Sequence, residues 1–183
     1  MRTEEHAWRR RKPAGYTLIE MIMGVILMAI MAGISMPAML MLIQRYRADA
    51  APRQVMADLR FAQSQAIARG MQARLVIFNA VGQATGTTYV DTAKANQYRV
   101  EARPTGGAWP ALSDTVASNA NVLSEWVDLG TSYRQSVTQA NAVAFTSRGS
   151  LQSVSSLSIV LQTMPAGAVR TVRTHPGGQV EVL

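Results

Sequence analysis

The fold of this chain is decided by Gly15-Tyr16-Thr17-Leu18-Ile19-Glu20, which leads directly into a run from Met21 to Ile43 without any charged residue. A helix rises about 1.5 Å per residue, so this run gives a helix of about 35 Å, which is enough to cross a hydrocarbon core about 30 Å thick. The sequence therefore predicts a membrane-spanning helix. Glu20 lies at its head, and because a carboxylate within a membrane helix is costly and rare, Glu20 is a candidate functional residue.

The charges that flank this run predict its orientation. Arg9-Arg10-Arg11-Lys12 precede it, whereas only Arg45 and Arg47 follow it closely. The positive-inside rule then places the N-terminus in the cytoplasm and the residues from Gln44 onward outside the inner membrane, although Arg45 and Arg47 weaken the bias slightly.

A secretory signal peptide is the alternative interpretation of this region. Its apolar core spans about 7–15 residues and ends at a small-x-small cleavage site. The run from Met21 to Ile43 is longer, has Glu20 at its head and lacks such a site at its end, which favours a retained helix. Pro37 removes a helical hydrogen bond and predicts a bend, although membrane helices also tolerate proline without a dedicated role.

Composition excludes several classes of site. The chain has 183 residues, a formal charge of +7 and no cysteine, so cysteine-based zinc sites, iron–sulfur clusters, disulfides and thiol catalysis are ruled out. Five of the 18 basic residues and two of the 11 acidic ones lie before Tyr16, so the chain without that segment would carry +4. The whole-chain charge therefore overstates the positive charge that the remaining residues offer to a nucleic acid.

Residues 44–70 predict an amphipathic helix that continues the membrane helix. Apolar residues recur there at three- and four-residue spacing, and Arg69 with Gly70 predicts its end. We expect this apolar face to cover the core of the domain that follows, and Pro52 to bend or restart the helix. The face consists of Val55, Met56, Leu59, Ala62, Ala66 and Ile67.

From Met71 onward the apolar period changes to two, which is typical of strands separated by glycine- and proline-rich turns. The chain is therefore predicted to be α+β, with a long N-terminal membrane-spanning helix packed against a small antiparallel β-sheet or sandwich domain. The last two predicted strands form a terminal hairpin across the turn Pro176-Gly177-Gly178. The predicted strands are Arg74–Phe78, Gln97–Arg103, Glu125–Leu129 (ended by Gly130), Ala142–Phe145, Leu157–Leu161, Ala168–Thr174 and Gln179–Leu183.

The segment Gly15–Glu20 resembles the class III leader of type IV pilins and pseudopilins. The resemblance implies that a prepilin peptidase cleaves between Gly15 and Tyr16 and methylates the new amine of Tyr16. It also implies that Glu20, the fifth residue of the processed chain, supports assembly, and that Pro37 is the helix-bending proline often found in this family. The expected segments are a cleaved leader (residues 1–15), a transmembrane and assembly helix (16–43), a periplasmic helix (44–70) and a β-rich domain (71–183).

The remainder resembles the GspH/FimT branch of this superfamily. The similarity lies in the helix end at residues 59–70, in Phe145-Thr146-Ser147-Arg148-Gly149 and in the closing segments at 170–173 and 178–182. It implies a minor pseudopilin of a type II secretion system or, alternatively, a minor type IV pilin for pilus priming or DNA uptake. The implied partners are other pilins, the prepilin peptidase, the inner-membrane assembly platform and membrane lipid, with DNA as a further possibility.

Glu20 has a chemical reason to act in assembly. Cleavage leaves a charged amine on Tyr16 within the bilayer, where an unpaired charge is costly. Glu20 of a neighbouring subunit can pair with that amine in a low dielectric and so fix the axial register between helices. The alternative is that Glu20 lies at the headgroup boundary and has no role.

We expect no catalytic residues, cofactor or metal. The two histidines, His6 and His175, lack partners at a metal-ligand spacing, so an anchored periplasmic enzyme is the weakest of the three functions considered. Arg148, Arg170 and Arg173 lie in or beside the C-terminal strands and are candidates for contact with DNA phosphates. The competing interpretation is a solvated face of the sheet, and the three-residue spacing puts Arg170 and Arg173 on opposite faces of a strand.

Overall fold

The computed structural model describes residues 15–153, 155–164 and 167–183. The chain divides into two compact units, one ending at Leu42 and the other spanning Ile43–Leu183. Most of the predicted leader, residues 1–14, lies outside the described residues, as do His6 and Pro165-Ala166 of the predicted turn.

One helix, α1, spans Leu18–Arg69. It ends where the sequence predicted, with Arg69 in its last turn and Gly70 immediately after it. The helix continues through Pro52, so it does not restart there, and the alternative of a bend at Pro52 stays a prediction. Pro52 and its neighbour Ala51 are buried, and this packing offsets the hydrogen bond that the proline ring removes. Helical residues also continue through Pro37, where the bend stays a prediction.

The β domain consists of two four-stranded antiparallel sheets. The first has the strand order β3-β2-β1-β5 and the second the order β4-β6-β7-β8. A short 3₁₀ helix, Thr92–Lys94, precedes β2, and a five-residue helix, α2 (Leu129–Tyr133), follows β3. The strands are β1 Gln72–Ile77, β2 Gln97–Arg103, β3 Val127–Asp128, β4 Gln135–Ala140, β5 Val143–Phe145, β6 Leu157–Thr163, β7 Val169–Thr174 and β8 Val180–Val182.

The second half of α1 covers the core of this domain, as its apolar spacing predicted. Five of the buried positions, Ala51 to Ala66 at three- and four-residue spacing, belong to one hydrophobic cluster with residues from both sheets. Met56 packs at the margin of the cluster, whereas Ile67 is 55% exposed, because the adjacent Ala66 occupies the buried position. The buried residues of α1 are Ala48, Ala51, Pro52, Val55, Leu59, Ala62 and Ala66.

Two parts of the strand prediction need correction. The predicted strand Glu125–Leu129 is reduced to β3, because Asp128 accepts a hydrogen bond from the Thr131 N–H at 2.9 Å and thereby caps α2. Leu129 and Gly130 belong to that helix, so Gly130 does not end a strand. The pattern also missed β4, whose sequence is mostly polar; only Gln135 and Val137 of this strand are buried. The terminal hairpin is confirmed, since β7 and β8 pair with Val172 opposite Val182.

A buried polar contact joins α1 to the first sheet. The Tyr98 hydroxyl donates to the Asp58 carboxylate at 2.6 Å, and the Gln54 amide donates to the same carboxylate oxygen at 3.1 Å. Burial of the phenol, together with this hydrogen bond, raises the pKa of Tyr98 well above its ordinary value. The contact therefore holds α1 against β2 only while Tyr98 is protonated.

The substitution Leu59→Ala tests how far the β domain depends on α1. Leu59 is fully buried, so we expect the free energy of unfolding to fall by about 2–5 kcal/mol. Urea unfolding of the full chain in detergent, followed by tryptophan fluorescence, measures the change. Phe61→Ala on the exposed side of the same helix is the control, and we expect it to lower the free energy by less than about 1 kcal/mol. Equal losses in the two variants would contradict the proposed packing.

Tyr98→Phe tests the buried hydroxyl through pH. A tyrosine in the unfolded chain titrates near pH 10, and the folded pKa is higher, so its contribution to stability is complete below about pH 10 and is lost as pH rises above that value. We expect Tyr98→Phe to be less stable than wild type at pH 7, yet to lose less stability between about pH 9 and 11. Tyr89→Phe, at a tyrosine that is 48% exposed, should keep the wild-type slope. If the free energy of unfolding falls equally with pH in wild type and in Tyr98→Phe, the proposed burial of the Tyr98 hydroxyl is wrong.

Candidate functional site

Thr17 fixes the start of α1. The Glu20 N–H donates to the Thr17 hydroxyl at 3.3 Å and to the Thr17 carbonyl at 3.1 Å, and the Met21 N–H donates to the same carbonyl at 3.2 Å. Thr17 is therefore the N-cap, and Glu20 occupies the third helical position, which is the spacing of a capping box. Sequence reasoning missed this role of Thr17, although the pattern Thr-x-x-Glu before an apolar run was visible.

The Glu20 carboxylate is held in the first turn of the helix, where the partial positive charge of the helix end stabilises it. None of the ion pairs among residues 15–153, 155–164 and 167–183 includes Glu20. Gly15 and Tyr16 precede the helix and are exposed. An added Cβ at Gly15 would meet no atom within 4 Å, so packing within the described chain does not require a glycine at this position.

The first part of α1 presents apolar side chains on every side. Large apolar residues from Leu18 to Ile43 are all exposed. An 18-residue window of this helix has a mean hydropathy of 2.3 and is 0% buried, and α1 is the single described helix that is long and apolar enough to cross a membrane. Water does not tolerate a contiguous apolar surface of this size, which indicates contact with lipid or with other protein chains.

The three candidate DNA-binding arginines differ in their surroundings. Arg148 is exposed in a turn. Arg170 pairs with Asp49 of α1 at 3.2 Å. Arg173 lies 3.8 Å from Glu181, which also contacts the His175 Nε2 at 3.0 Å. Two of the three charges are thus accompanied by a carboxylate. Arg170 and Arg173 point to opposite faces of β7, as their spacing predicted.

The most deeply buried charges form a layer that sequence reasoning missed. Glu101 is fully buried and accepts hydrogen bonds from Arg74 at 3.0 Å and from Arg99 at 2.8 Å. Burial lowers the pKa of Arg74 from its ordinary value, while the Glu101 charge opposes that shift. The signal in the sequence was the charge at every second position of β2.

This charged layer fastens a loop over the first sheet. Two guanidinium groups stack on the Trp109 ring, with centroid distances of 4.2 Å for Arg74 and 4.3 Å for Arg103. Arg99 stacks on Trp126 at 4.5 Å and donates to the Ala111 carbonyl at 2.7 Å. Residues 104–126 are thereby held against β1 and β2, which gives the layer a structural role.

The described ranges contain no group of three or more His, Cys, Asp or Glu residues that could hold a metal ion. The His175–Glu181 contact supplies only two possible ligands, whereas a structural zinc site has about four.

Comparisons with known proteins decide the family. The family model described as "Type II transport protein GspH" matches residues 51–178, and the model described as "Prokaryotic N-terminal methylation motif" matches residues 10–36. The chain belongs to the GspH family. The resemblance to the type IV pilin-like superfamily and its GspH/FimT branch is thereby confirmed, including the N-terminal methylation motif around Gly15-Tyr16.

Solved structures support the fold of this GspH-family chain. It is similar to the type IV minor pilin FimU of Pseudomonas aeruginosa strain PAO1, with a TM-score of 0.50, 12% identity and coverage of 78% of this chain and 92% of that one. A second crystal form of FimU gives a TM-score of 0.48, 12% identity and coverage of 74% and 91%. No curated protein matches the chain. At this level of identity the likeness to FimU concerns the fold, and it confirms the predicted α+β class.

Proposed function

We propose that this chain is a minor pseudopilin of a type II secretion system, which assembles into a periplasmic pseudopilus that drives protein export. The observation that carries the proposal is the exposed apolar surface of α1 from Leu18 to Ile43, with Glu20 in the first turn of the helix. The GspH family match supports the secretion machine as its setting, and the family is one of structural subunits. The role is therefore mechanical, and we assign it no catalysis and no cofactor.

Processing would proceed at the start of the described chain. A prepilin peptidase removes residues 1–15 by cutting between Gly15 and Tyr16, and the Tyr16 amine is then methylated. The open surroundings of Gly15 are compatible with this assignment, because packing against residues 15–153, 155–164 and 167–183 does not require a glycine there. The processed chain comprises an assembly helix (16–43), a periplasmic helix (44–70) and the β domain (71–183).

Glu20 would select the depth at which subunits join. Within the first turn of α1, its carboxylate is available to the Tyr16 amine of a neighbouring subunit. A shift in axial register would leave both charges unpaired in lipid, which is costly. Before assembly, lipid covers the apolar surface of α1; afterwards, the helices of other pilins replace it. The subunit is anchored in the inner membrane with its N-terminus cytoplasmic and its β domain periplasmic, and the assembly platform inserts it into the filament.

Glu20→Ala in the native host tests the assembly role. We expect insertion and cleavage to continue, while the fraction of subunit cross-linked to other pilins falls about tenfold or more, which corresponds to about 1.4 kcal/mol of lost pairing. Mass spectrometry of the N-terminus measures processing, and cross-linking measures incorporation. Exported proteins should accumulate in the periplasm.

Glu125→Ala is the matched control, because Glu125 is an exposed carboxylate of the β domain. It should leave processing, incorporation and export unchanged. Normal incorporation of Glu20→Ala would refute the pairing mechanism, and an uncut N-terminus in the wild-type subunit would refute the proposed processing.

A minor type IV pilin for pilus priming or DNA uptake is the second candidate, supported by the likeness of the fold to the minor pilin FimU. In that case Glu20→Ala would lower the number of surface pili and leave export intact. The ion pairs of Arg170 and Arg173 speak against DNA as a partner, because Asp49 and Glu181 oppose the approach of a phosphate.

A mobility-shift assay with duplex DNA tests whether these ion pairs prevent DNA binding. At about 0.15 M salt we expect the full chain in detergent to bind DNA weakly. The double variant Asp49→Asn/Glu181→Gln, which removes both opposing carboxylates, should bind more strongly. Tight binding by wild type that Arg148→Gln, Arg170→Gln and Arg173→Gln together abolish would instead favour the DNA-uptake role.

A further inference from the structure

A short polar segment of α1 follows the apolar run and has no assigned role. Arg45-Tyr46-Arg47 begins two residues after Ile43 and is exposed, with 70% of Tyr46 accessible. None of the ion pairs within the described ranges includes Arg45 or Arg47. The nearest carboxylate along the chain, Asp49, is paired with Arg170 at 3.2 Å, so neither arginine has an ion-pair partner among the described residues.

The position of this segment matches the headgroup layer of a membrane that ends at Ile43. Along a helix, Arg45 and Arg47 lie about 3 and 6 Å beyond Ile43. The polar layer on each side of the hydrocarbon core is several ångströms thick, about 5–8 Å. Side chains of a helix tilt toward its N-terminus, so both guanidinium groups lean back toward the phosphate level.

The chemistry of the segment fits the same layer. A guanidinium group binds a phosphate through two parallel hydrogen bonds, which makes arginine the preferred residue for this anion. Tyrosine is enriched at membrane interfaces, where its ring contacts the acyl chains and its hydroxyl contacts water and headgroups. Arg45, Tyr46 and Arg47 thus combine the two interfacial residue types in one turn of helix.

We propose that Arg45, Tyr46 and Arg47, here called the collar, bind the phosphate groups of anionic phospholipids in the outer leaflet of the membrane that α1 crosses. This proposal rests on the membrane anchoring proposed above and adds a lipid class and a site to it. Removal of the leader deletes five basic residues at the other end of the apolar run, so Arg45 and Arg47 are the arginines nearest to this run in the processed subunit. The collar then holds the processed subunit at a fixed depth until assembly extracts it.

A lipid surface fits the collar better than DNA does. Nucleic-acid binding usually requires many phosphate contacts, because each cation contributes only part of a salt-dependent affinity. The collar offers two cations, and it adjoins a surface that lipid must already cover. A bilayer already places phosphates at the depth of the collar, so no second macromolecule has to be positioned there.

The experiment uses the absence of cysteine in the chain. Gln44→Cys is labelled with bimane, and the full chain is reconstituted into vesicles with equimolar phosphatidylcholine and phosphatidylglycerol. Nitroxide on the headgroup of one lipid or the other quenches the dye and reports the relative association of each lipid with the collar. At about 1 kcal/mol per arginine, each guanidinium contributes about fivefold to the preference for phosphatidylglycerol.

Arg45→Gln/Arg47→Gln should therefore reduce this preference about 25-fold at low salt, and added salt should weaken the wild-type preference. Arg60→Gln is the matched control: Arg60 is exposed on the same helix but lies about 25 Å beyond Ile43, outside the headgroup layer. It should leave the preference unchanged. Equal preferences in wild type and the double variant would overturn the proposal.

A second label separates this failure from failure of membrane anchoring. Bimane at Met31→Cys should be quenched by lipids brominated on their acyl chains, which reports insertion of α1. Quenching there without lipid preference at Gln44→Cys overturns the collar alone, whereas no quenching at Met31→Cys overturns both the anchoring and the collar. Collar-dependent retention of duplex DNA by vesicles that show no lipid preference would assign the two arginines to nucleic acid instead.

Discussion

The physical constraint behind this molecule is an apolar helix surface that its own chain leaves uncovered. From Leu18 to Ile43 the large side chains of α1 are all exposed, and burial of apolar surface contributes about 25 cal/mol per Å². Such a surface cannot remain in water. It must be covered by lipid or by other protein chains. The assembly proposed above would exchange one apolar environment for another, so that little hydrophobic free energy would separate the two states.

Because the apolar exchange is nearly balanced, polar groups decide between the two environments. Glu20 in the first turn of α1 favours a state in which a cation stands opposite it. Arg45 and Arg47, at the other end of the apolar run, favour a state in which phosphates surround them. The proposed pairing of Glu20 acts after the subunit joins a filament, whereas the proposed collar acts before it does. In this proposal the two ends of the run set the balance between membrane and filament.

The sequence predicts those parts of the structure whose chemistry is local. The helix through the apolar run, its end at Arg69 and the strand β2 each depend on neighbouring residues, and the structure confirms them. The burial of β2 does not alternate, because the loop 104–126 covers the face that carries Arg99 and Glu101. Glu20 as an assembly residue depends on a second chain and stays a prediction. The parts that were wrong or missed depend on tertiary packing. Pro52 continues the helix because it is buried, and β4 is a strand because the neighbouring β6 supplies its hydrogen bonds.

The charged layer under Trp109 and Trp126 could not be predicted for the same reason. Arg74 and Glu101 lie far apart in sequence and become opposite neighbours only through the pairing of β1 with β2. Before that register is known, each looks like a solvated charge on the outer face of a strand. The register brings them together, and the loop 104–126 then removes them from water.

Packing also gives a reason for two glycines in the segments that resemble the GspH/FimT branch. Gly149 and Gly178 both have positive φ, +80° and +86°. A Cβ at Gly149 would approach the Ile67 side chain to 2.6 Å, and a Cβ at Gly178 would collide with Gln63. The Gln63 amide donates to the Gly149 carbonyl at 2.7 Å, so one side chain of α1 ties down the turn at Gly149 and packs on the turn at Gly178. Both turns must pass closely beneath the helix, which only glycine permits in this backbone conformation. Gly149 and Gly178 thus allow the β domain to pack tightly against the second half of α1.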